Sequence, residues 1–234
     1  MIQYFIMSDI HSQYDLFIEA LKKAAFDIEN MDHILIIGGD VLDRGKTGHN
    51  TIKYIEELIV KKRVIGVLGN HDLFLVDIIK GTYRLNKVLW NISKNGFIET
   101  LQLGFSKNIH NLDVTKELVE EFRKNFKIKY PLFVEWIISL PLYLEYENHV
   151  IVHGFIDFSL KNWRDTDEHF AIWDRGYNRK IPDSFNKLLI FGHTPNHNIN
   201  NQNDIIYDAK KIMIDGGAAS NHQINVLKLK ENEI

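Results

Sequence analysis

The chain of 234 residues contains no cysteine. Disulfides, thiolate zinc sites and cysteine nucleophiles are therefore excluded. Proline is scarce, and no apolar run approaches the length needed to cross a bilayer. The formal net charge is −3, so no basic field is available to hold a nucleic-acid backbone. The first residues, Met1 to Met7, read as a strand and lack the basic flank of a signal peptide. These absences predict a cytoplasmic protein with neither nucleic acid nor membrane as a partner. The length and ordinary apolar content suit one domain over residues 1–234.

What is present is a pattern of apolar runs that stop at polar turns. The fullest instance is Ile36-Ile37-Gly38-Gly39-Asp40-Val41-Leu42-Asp43-Arg44-Gly45. Ligands of open α/β sheets gather just beyond the carboxyl ends of strands. Glycine permits tight backbone there, a carboxylate can ligate a hard cation, and an arginine can grip phosphate oxygens with two parallel donors. A polar turn with a surface ion pair would account for this stretch alone, so the rest of the chain decides.

Gln3 to Met7 ends at Ser8-Asp9-Ile10-His11-Ser12, where Asp9 and His11 stand two apart, the spacing of one strand face. A helical period follows from Asp15 to Phe26. The second apolar run, Ile34 to Ile37, leads through the glycine turn into an amphipathic stretch, Thr47 to Lys61. The third, Val64 to Leu68, ends at Gly69-Asn70-His71-Asp72 before another apolar helix, Leu73 to Ile79. Three β-α units, each with Asp, His or Asn beyond the strand, predict a sheet with right-handed helical crossovers and one shared site.

Residues 81–148 change character and read as a helical insertion over one edge of that site. Tyr83 to Ser93 and Val114 to Leu140 are mainly helical, with a turn and short strand over Lys94 to Thr100 between them. Strands return in the second half. Val150 to Val152 runs into His153-Gly154, and Leu188 to Phe191 into Gly192-His193-Thr194-Pro195. Asn196 to Asp204 is rich in asparagine and reads as a mobile loop.

Together the strand ends offer Asp9, His11, Asp40, Asn70, His153 and His193, an oxygen and nitrogen set without sulfur. Such a set suits one or two divalent first-row ions. A carboxylate shared between two ions holds them about 3.5–4 Å apart, the separation of two-metal hydrolysis. His71 and Arg44 are the candidates for supplying a proton and cationic donors, with Asp43 placed to fix the tautomer of His71.

The series Asp9-x-His11, Gly39-Asp40-x-x-Asp43-Arg44-Gly45, Gly69-Asn70-His71-Asp72, His153-Gly154 and Gly192-His193-Thr194 resembles the calcineurin-like metallophosphoesterases. Within them it is most similar to the phosphoprotein phosphatase branch of small bacterial and phage-type enzymes. The resemblance implies an α/β fold, a calcineurin-like β-sandwich of two mixed sheets flanked by helices. It implies two divalent ions, manganese foremost, with iron, zinc or cobalt as alternatives. Asp9, His11 and Asp40 would hold one ion. Asp40 would bridge to a second, held also by Asn70, His153 and His193. His71 becomes the general acid oriented by Asp43, and Arg44, Asn70 and Arg175 (in Trp173-Asp174-Arg175) contact substrate phosphate.

The implied reaction is hydrolysis of phosphomonoesters by a metal-bound hydroxide, on phosphoserine or phosphothreonine of a phosphoprotein or phosphopeptide. The alternative is a nucleotide substrate, cleaved in the manner of a symmetrical diadenosine tetraphosphatase. An inactive metal-binding scaffold would have lost a ligand or the acid, and none is lost. The sequence departs from the family pattern at Ser8 and Ser12, which stand where glycine is usual, and at Phe155, expected to shape one wall of the cleft. Asp215-Gly216-Gly217 resembles a late turn of the family and reads as support. Among the remaining histidines, His197 is set apart by its closeness to the Gly-His-Thr-Pro turn.

Overall fold

The computed structural model describes residues 1–234. In the first third, strands β1 (Gln3–Met7), β2 (His33–Ile37) and β3 (Val64–Gly66) alternate with helices α1 (Tyr14–Lys23), α2 (Gly48–Val60) and α3 (Asn70–Lys80). The strands pair in parallel, with Met7 opposite Ile37 and Ile37 opposite Gly66. Their carboxyl ends are therefore level, and the loops after them emerge along one edge. The unit repeat predicted from the apolar runs is present, with α3 starting earlier than its apolar period, at Asn70 itself.

Residues 81–148 carry α4 (Leu85–Asn95), α5 (Phe97–Gln102), α6 (Lys116–Lys129) and α7 (Pro131–Ile138) before strand β4 (Tyr143–Glu145). One expectation is corrected here. Lys94 to Thr100 is not a turn and short strand: α4 ends at Gly96, in the left-handed region at φ +72, and α5 starts at once. The mainly helical stretch read from Val114 to Leu140 is present as two helices. Pro131 disfavours helical backbone at Tyr130 and opens α7 as its first residue. Phe97, Phe122, Phe126, Tyr130 and Phe133 are buried together, so the aromatic stripes are core packing.

The second sheet contains β4, β5 (His149–Val152), β6 (Leu188–Phe191), β7 (Ile206–Asp208) and β8 (Lys211–Met213), with helices α8 (Glu168–Trp173) and α9 (His197–Asn200) on its connections. Its order is β4-β5-β6-β8-β7, with β5, β6 and β8 parallel and both edges antiparallel. The chain then returns to the first sheet as β9 (Leu227–Lys230), antiparallel to β1 in the order β3-β2-β1-β9.

Period-two alternation separates the layers. Ile6 and Ile36 of the first sheet meet Ile151, Ile190 and Ile212 of the second in one cluster between the sheets. Phe5, Met7, Leu35 and Ile37 face the helices. Val150, Val152, Leu189 and Phe191 face an outer layer with Phe155 and Ile172. The fold is thus a sandwich of two mixed sheets flanked by helices, as the resemblance implies. No helix is long and apolar enough to cross a membrane.

Candidate metal centre

The loops after β1, β2, β5 and β6 and the first turn of α3 converge where the two sheets share an edge. Several residues there hold left-handed backbone: Asp9 at φ +55, His11 at +48, Asp40 at +57 and His193 at +64. Asp and His tolerate this region better than most residues, and non-glycine residues held there mark sites where the surroundings enforce the geometry. Gly39, at φ +89, allows a close approach: a Cβ on it would lie 2.7 Å from His153 Nδ1 and 2.8 Å from the Gly69 Cα.

Asp40 is the centre. Its Oδ2 lies 3.6 Å from His11 Nε2, 3.4 Å from His153 Nε2 and 4.0 Å from His71 Nε2. Asp9 Oδ1 is 3.9 Å from His11 Nε2, and Asn70 Oδ1 is 3.1 Å from His153 Nε2. His193 Nδ1 is 3.2 Å from that same His153 nitrogen. The ligand atoms of His11, Asp40 and His71, and separately of Asp40, His153 and His193, lie within 4.8 Å of one another. Asp40 belongs to both groups.

Backbone carbonyls fix which nitrogens face inward. His11 Nδ1 donates to the Leu42 carbonyl at 3.1 Å, and His153 Nδ1 to the Gly38 carbonyl at 2.8 Å, so both Nε2 atoms point to the centre. This second-layer bond is how protein imidazoles are prepared for metals. Asp9, His11, Asp40, Asn70 and His153 are all buried.

The charges of the cluster are strongly coupled. Burial pushes the Asp40 carboxyl up, yet His153, His71 and His11 hold it well below the usual carboxylate range. Burial lowers His153, but Asp40 and Asp9 override it and raise the imidazole to about 10. Burial and the His153 charge press His193 down to about 3. Burial raises Asp9. The donor set fits divalent ions, with carboxylate, carboxamide and imidazole ligands and inward-facing lone pairs.

Beside this cluster stands a second arrangement. His71 Nδ1 donates to Asp43 Oδ2 at 2.6 Å, and its Nε2 is 3.0 Å from Arg44 Nη2. Burial lowers His71, but Asp40 and Asp43 outweigh it and raise the imidazole above 6.5. Thr100 of α5 donates its hydroxyl to Asp43 Oδ1 and accepts the Asp43 backbone N–H at 3.0 Å. The Arg44 N–H donates to the Gly96 carbonyl at 3.2 Å. Thr100 and Gly96 therefore fasten this pair from behind.

The cavity over the cluster has a volume of about 310 Å³, and Asp9, His11, Asp40, Arg44, Asn70, His71, Arg175 and His193 line it. Arg175 Nη1 donates to Thr194 Oγ1 at 3.1 Å. Asp43 and His153 stand behind the lining, fully enclosed. All ten candidate residues are brought together. Phe155 is not: it is buried away from the cavity, edge-on to Phe158 and Phe191 and pressed against Gly176. The strand ends at Val152, and the turn at His153-Gly154 carries Phe155 into the outer core instead of the cleft wall.

Two residues were not singled out from the sequence. One is Thr100, which no local motif marks. The other is Asp72, whose neighbours in Gly69-Asn70-His71-Asp72 were the signal. Its carboxylate accepts the backbone N–H groups of Asp40 at 2.8 Å, Val41 at 3.0 Å and Gly69 at 2.9 Å, tying two motif loops together. Burial and the Asp40 charge raise it to about 6. Within the loop Asn196 to Asp204, four residues form the short helix α9, and Asn196 Nδ2 donates to the carbonyls of Asp204 and Met213, both at 2.8 Å.

Comparison with known proteins places this geometry in context. The family model for calcineurin-like phosphoesterases matches residues 2–213. A symmetrical bis(5′-nucleosyl)-tetraphosphatase of Buchnera aphidicola is 41% identical over 78 residues, which cover 33% of this chain and 27% of that one. The chain thus spans only about a quarter of that relative. An asymmetrical bis(5′-nucleosyl)-tetraphosphatase of Bacillus subtilis is 25% identical over 98% of this chain and 92% of its own. Among solved structures, a cold-active protein-tyrosine phosphatase of a psychrophilic Shewanella shares the fold with a TM-score of 0.59 at 16% identity, covering 99% of this chain and 76% of that one. A protein serine/threonine phosphatase of Saccharomyces cerevisiae does so at 0.52 and 12%, covering 100% and 81%.

Proposed function

The chain belongs to the calcineurin-like phosphoesterase family, and from that premise we propose that it hydrolyses phosphomonoesters of alkyl alcohols, phosphoserine and phosphothreonine in proteins. The observation that carries this reading is the His71–Asp43 pair, 2.6 Å apart beside the Asp40 cluster. An alkoxide is a poor leaving group and needs a proton as the bond breaks, whereas a nucleoside polyphosphate leaves without such help. A buried imidazole with Nδ1 fixed on a carboxylate and Nε2 beside the cavity, accepting from Arg44 until substrate phosphate takes the guanidinium, suits the first task.

In this reading Asp9, His11 and Asp40 would hold one divalent ion. Asp40, Asn70, His153 and His193 would hold the second, and manganese, iron, zinc and cobalt all accept such ligands. When bound, the ions supply Lewis acidity toward water and toward phosphoryl oxygen. The remaining work belongs to the chain. Arg44 and Arg175 grip the phosphoryl oxygens from two sides of the cavity, and Asn70 adds a carboxamide. His71 donates from Nε2 to the leaving oxygen, and Asp43 holds its Nδ1 proton so that the donor cannot switch tautomer. Residues 81–148 act within the same domain as an insertion that fastens Asp43 through Thr100.

A second reading is cleavage of bis(5′-nucleosyl) tetraphosphates, favoured by the names of the sequence relatives. The test is a side-by-side kcat/KM with manganese on a phosphoserine peptide and on diadenosine tetraphosphate. Preference for the peptide supports the first reading, and preference for the dinucleotide replaces it with the second.

A further inference from the structure

The three parallel strands of the second sheet, β5, β6 and β8, lie side by side. Each is followed within two residues by a side chain able to ligate a metal. The first two are His153 and His193. The third is Asp215, two residues past Met213, which the hydrolysis described above does not use. We propose that Asp215 is an accessory carboxylate of the metal centre, strengthening the hold on the divalent ion assigned to Asp9, His11 and Asp40. The inference rests on the dinuclear reading of the site and adds a residue to it.

Strand order decides which ion is concerned. Beyond the strands of the first sheet stand Asn70, Asp40 and Asp9, following β3-β2-β1. Beyond those of the second stand His153, His193 and Asp215, following β5-β6-β8. The two rows meet at one end where Asn70 Oδ1 lies 3.1 Å from His153 Nε2. Toward the other end the His193 N–H donates to Asp9 Oδ2 at 3.1 Å, and a Cβ on Gly192 would come within 2.2 Å of that oxygen. Asp215, one strand further on, therefore flanks Asp9 and not Asn70. The ion on that side has three assigned side chains, against four for the other, so a further carboxylate matters most there.

Asp215 is 2% exposed and lines the same cavity as Asp9 and Asp40. Its Oδ1 accepts the Gly217 N–H at 2.8 Å, while its Oδ2 accepts no hydrogen bond from the chain. The backbone is fixed as well, since the Asp215 carbonyl accepts the Asn196 N–H at 2.9 Å. Supporting the turn takes one oxygen and no charge, so an asparagine would serve it equally. A carboxylate buried beside two others is costly unless a cation offsets it. Burial pushes the Asp215 carboxyl well up, and the Asp9 charge adds to the rise, so the two acids act on one another. A divalent ion beside Asp9 is drawn by both. Losing a supporting group around a metal site costs about 10–100-fold in affinity.

The test is calorimetric titration of manganese into metal-free wild type, Asp215→Asn and Asp215→Ser, with the Tm of each metal-free protein measured alongside. Both variants keep an oxygen for the Gly217 N–H and lose only the charge, so the serine keeps the test open should the asparagine variant fail to fold. Wild type is expected to bind two ions per chain. In each variant one of the two should bind about tenfold more weakly or worse, with the other unchanged. The metal-free Tm should not fall, because neither the turn bond nor an attraction has been removed. Adding Asp215→Asn to Asp9→Asn should cost less than it costs wild type, since both residues serve the same ion. The proposal is overturned if both ions bind the variants as they bind wild type, or if the Asp9 and Asp215 losses simply add. It is also overturned if the metal-free Tm falls and both ions weaken together, the result expected of a residue that only supports the turn. A wild type that binds fewer than two ions would instead overturn the dinuclear centre itself.

Discussion

Replacing Thr100 by valine removes one hydroxyl, keeps the branched shape, and should act on the chemistry at a distance. The hydroxyl donates to Asp43 Oδ1 and accepts the Asp43 N–H at 3.0 Å, and both residues are enclosed, so water does not take its place. A hydrogen bond to a charged group contributes about 1.5–3 kcal/mol, and an orphaned buried N–H costs about 1–3 kcal/mol. A net loss of about 2 kcal/mol is therefore expected, which for a chain of this length lowers Tm by about 4–8 °C. The catalytic consequence is more specific. With Oδ1 released, Asp43 is free to turn, and His71 loses the partner that holds Nδ1. On a phosphoserine peptide kcat should fall about tenfold, equivalent to about 1.4 kcal/mol of barrier, with KM little changed. On p-nitrophenyl phosphate, whose leaving group needs no proton, the fall should be about threefold at most. Thr100→Ser, which restores the hydroxyl, should recover both substrates. Equal losses on the two substrates, or full activity on the peptide, would refute the coupling from Thr100 through Asp43 to His71.

His71→Ala should keep its metal content while losing about 10²–10³-fold in rate on the phosphoserine peptide and far less on p-nitrophenyl phosphate. Metal analysis with both substrates checks it, and unchanged peptide turnover removes His71 as the acid. Asp43→Asn takes away one of the two carboxylates that raise His71. A donor must be protonated, so peptide turnover falls as pH rises through the His71 pKa. Lowering that pKa moves the alkaline limb of the kcat profile to lower pH, and a limb that does not move would contradict the assignment. Asp72→Asn replaces an acceptor of three backbone N–H groups by a side chain whose amide end donates. Manganese affinity should weaken about tenfold or more, by analogy with loss of outer ligand support. Titration of the metal-free variant with manganese measures it.

The strand ends were legible because the groups that meet in space also stand in short contiguous turns. Asp9 and His11, Gly39 to Gly45, and Gly69 to Asp72 each carry their chemistry within a few residues of an apolar run. What stayed hidden depends on contacts distant in sequence. Thr100 meets Asp43 across three intervening helices and a strand, and its own surroundings, Gly-Phe-Ile-Glu-Thr, read as a turn and strand because β-branched residues follow a glycine. The break at Tyr130-Pro131 was written in the proline but obscured by apolar period on both sides. Phe155 was misassigned by its place directly after His153-Gly154, since the turn after the strand sends it into the outer core. His197 stood out only by proximity to His193. Its enclosure against Gly217 and His222 comes from a turn twenty residues further on, roughly, that no local pattern announces.

The most direct test of the centre is metal stoichiometry together with activity, by elemental analysis and p-nitrophenyl phosphate turnover, on wild type and Asp40→Asn. Asp40 is the carboxylate common to both ligand groups. The expected result is two divalent ions per chain in the wild type, turnover abolished by a chelator and restored by manganese, and a joint loss of metal and activity in Asp40→Asn. Turnover that survives complete removal of metal, or an Asp40→Asn protein that keeps both ions at full activity, would contradict a dinuclear phosphoesterase centred on Asp40.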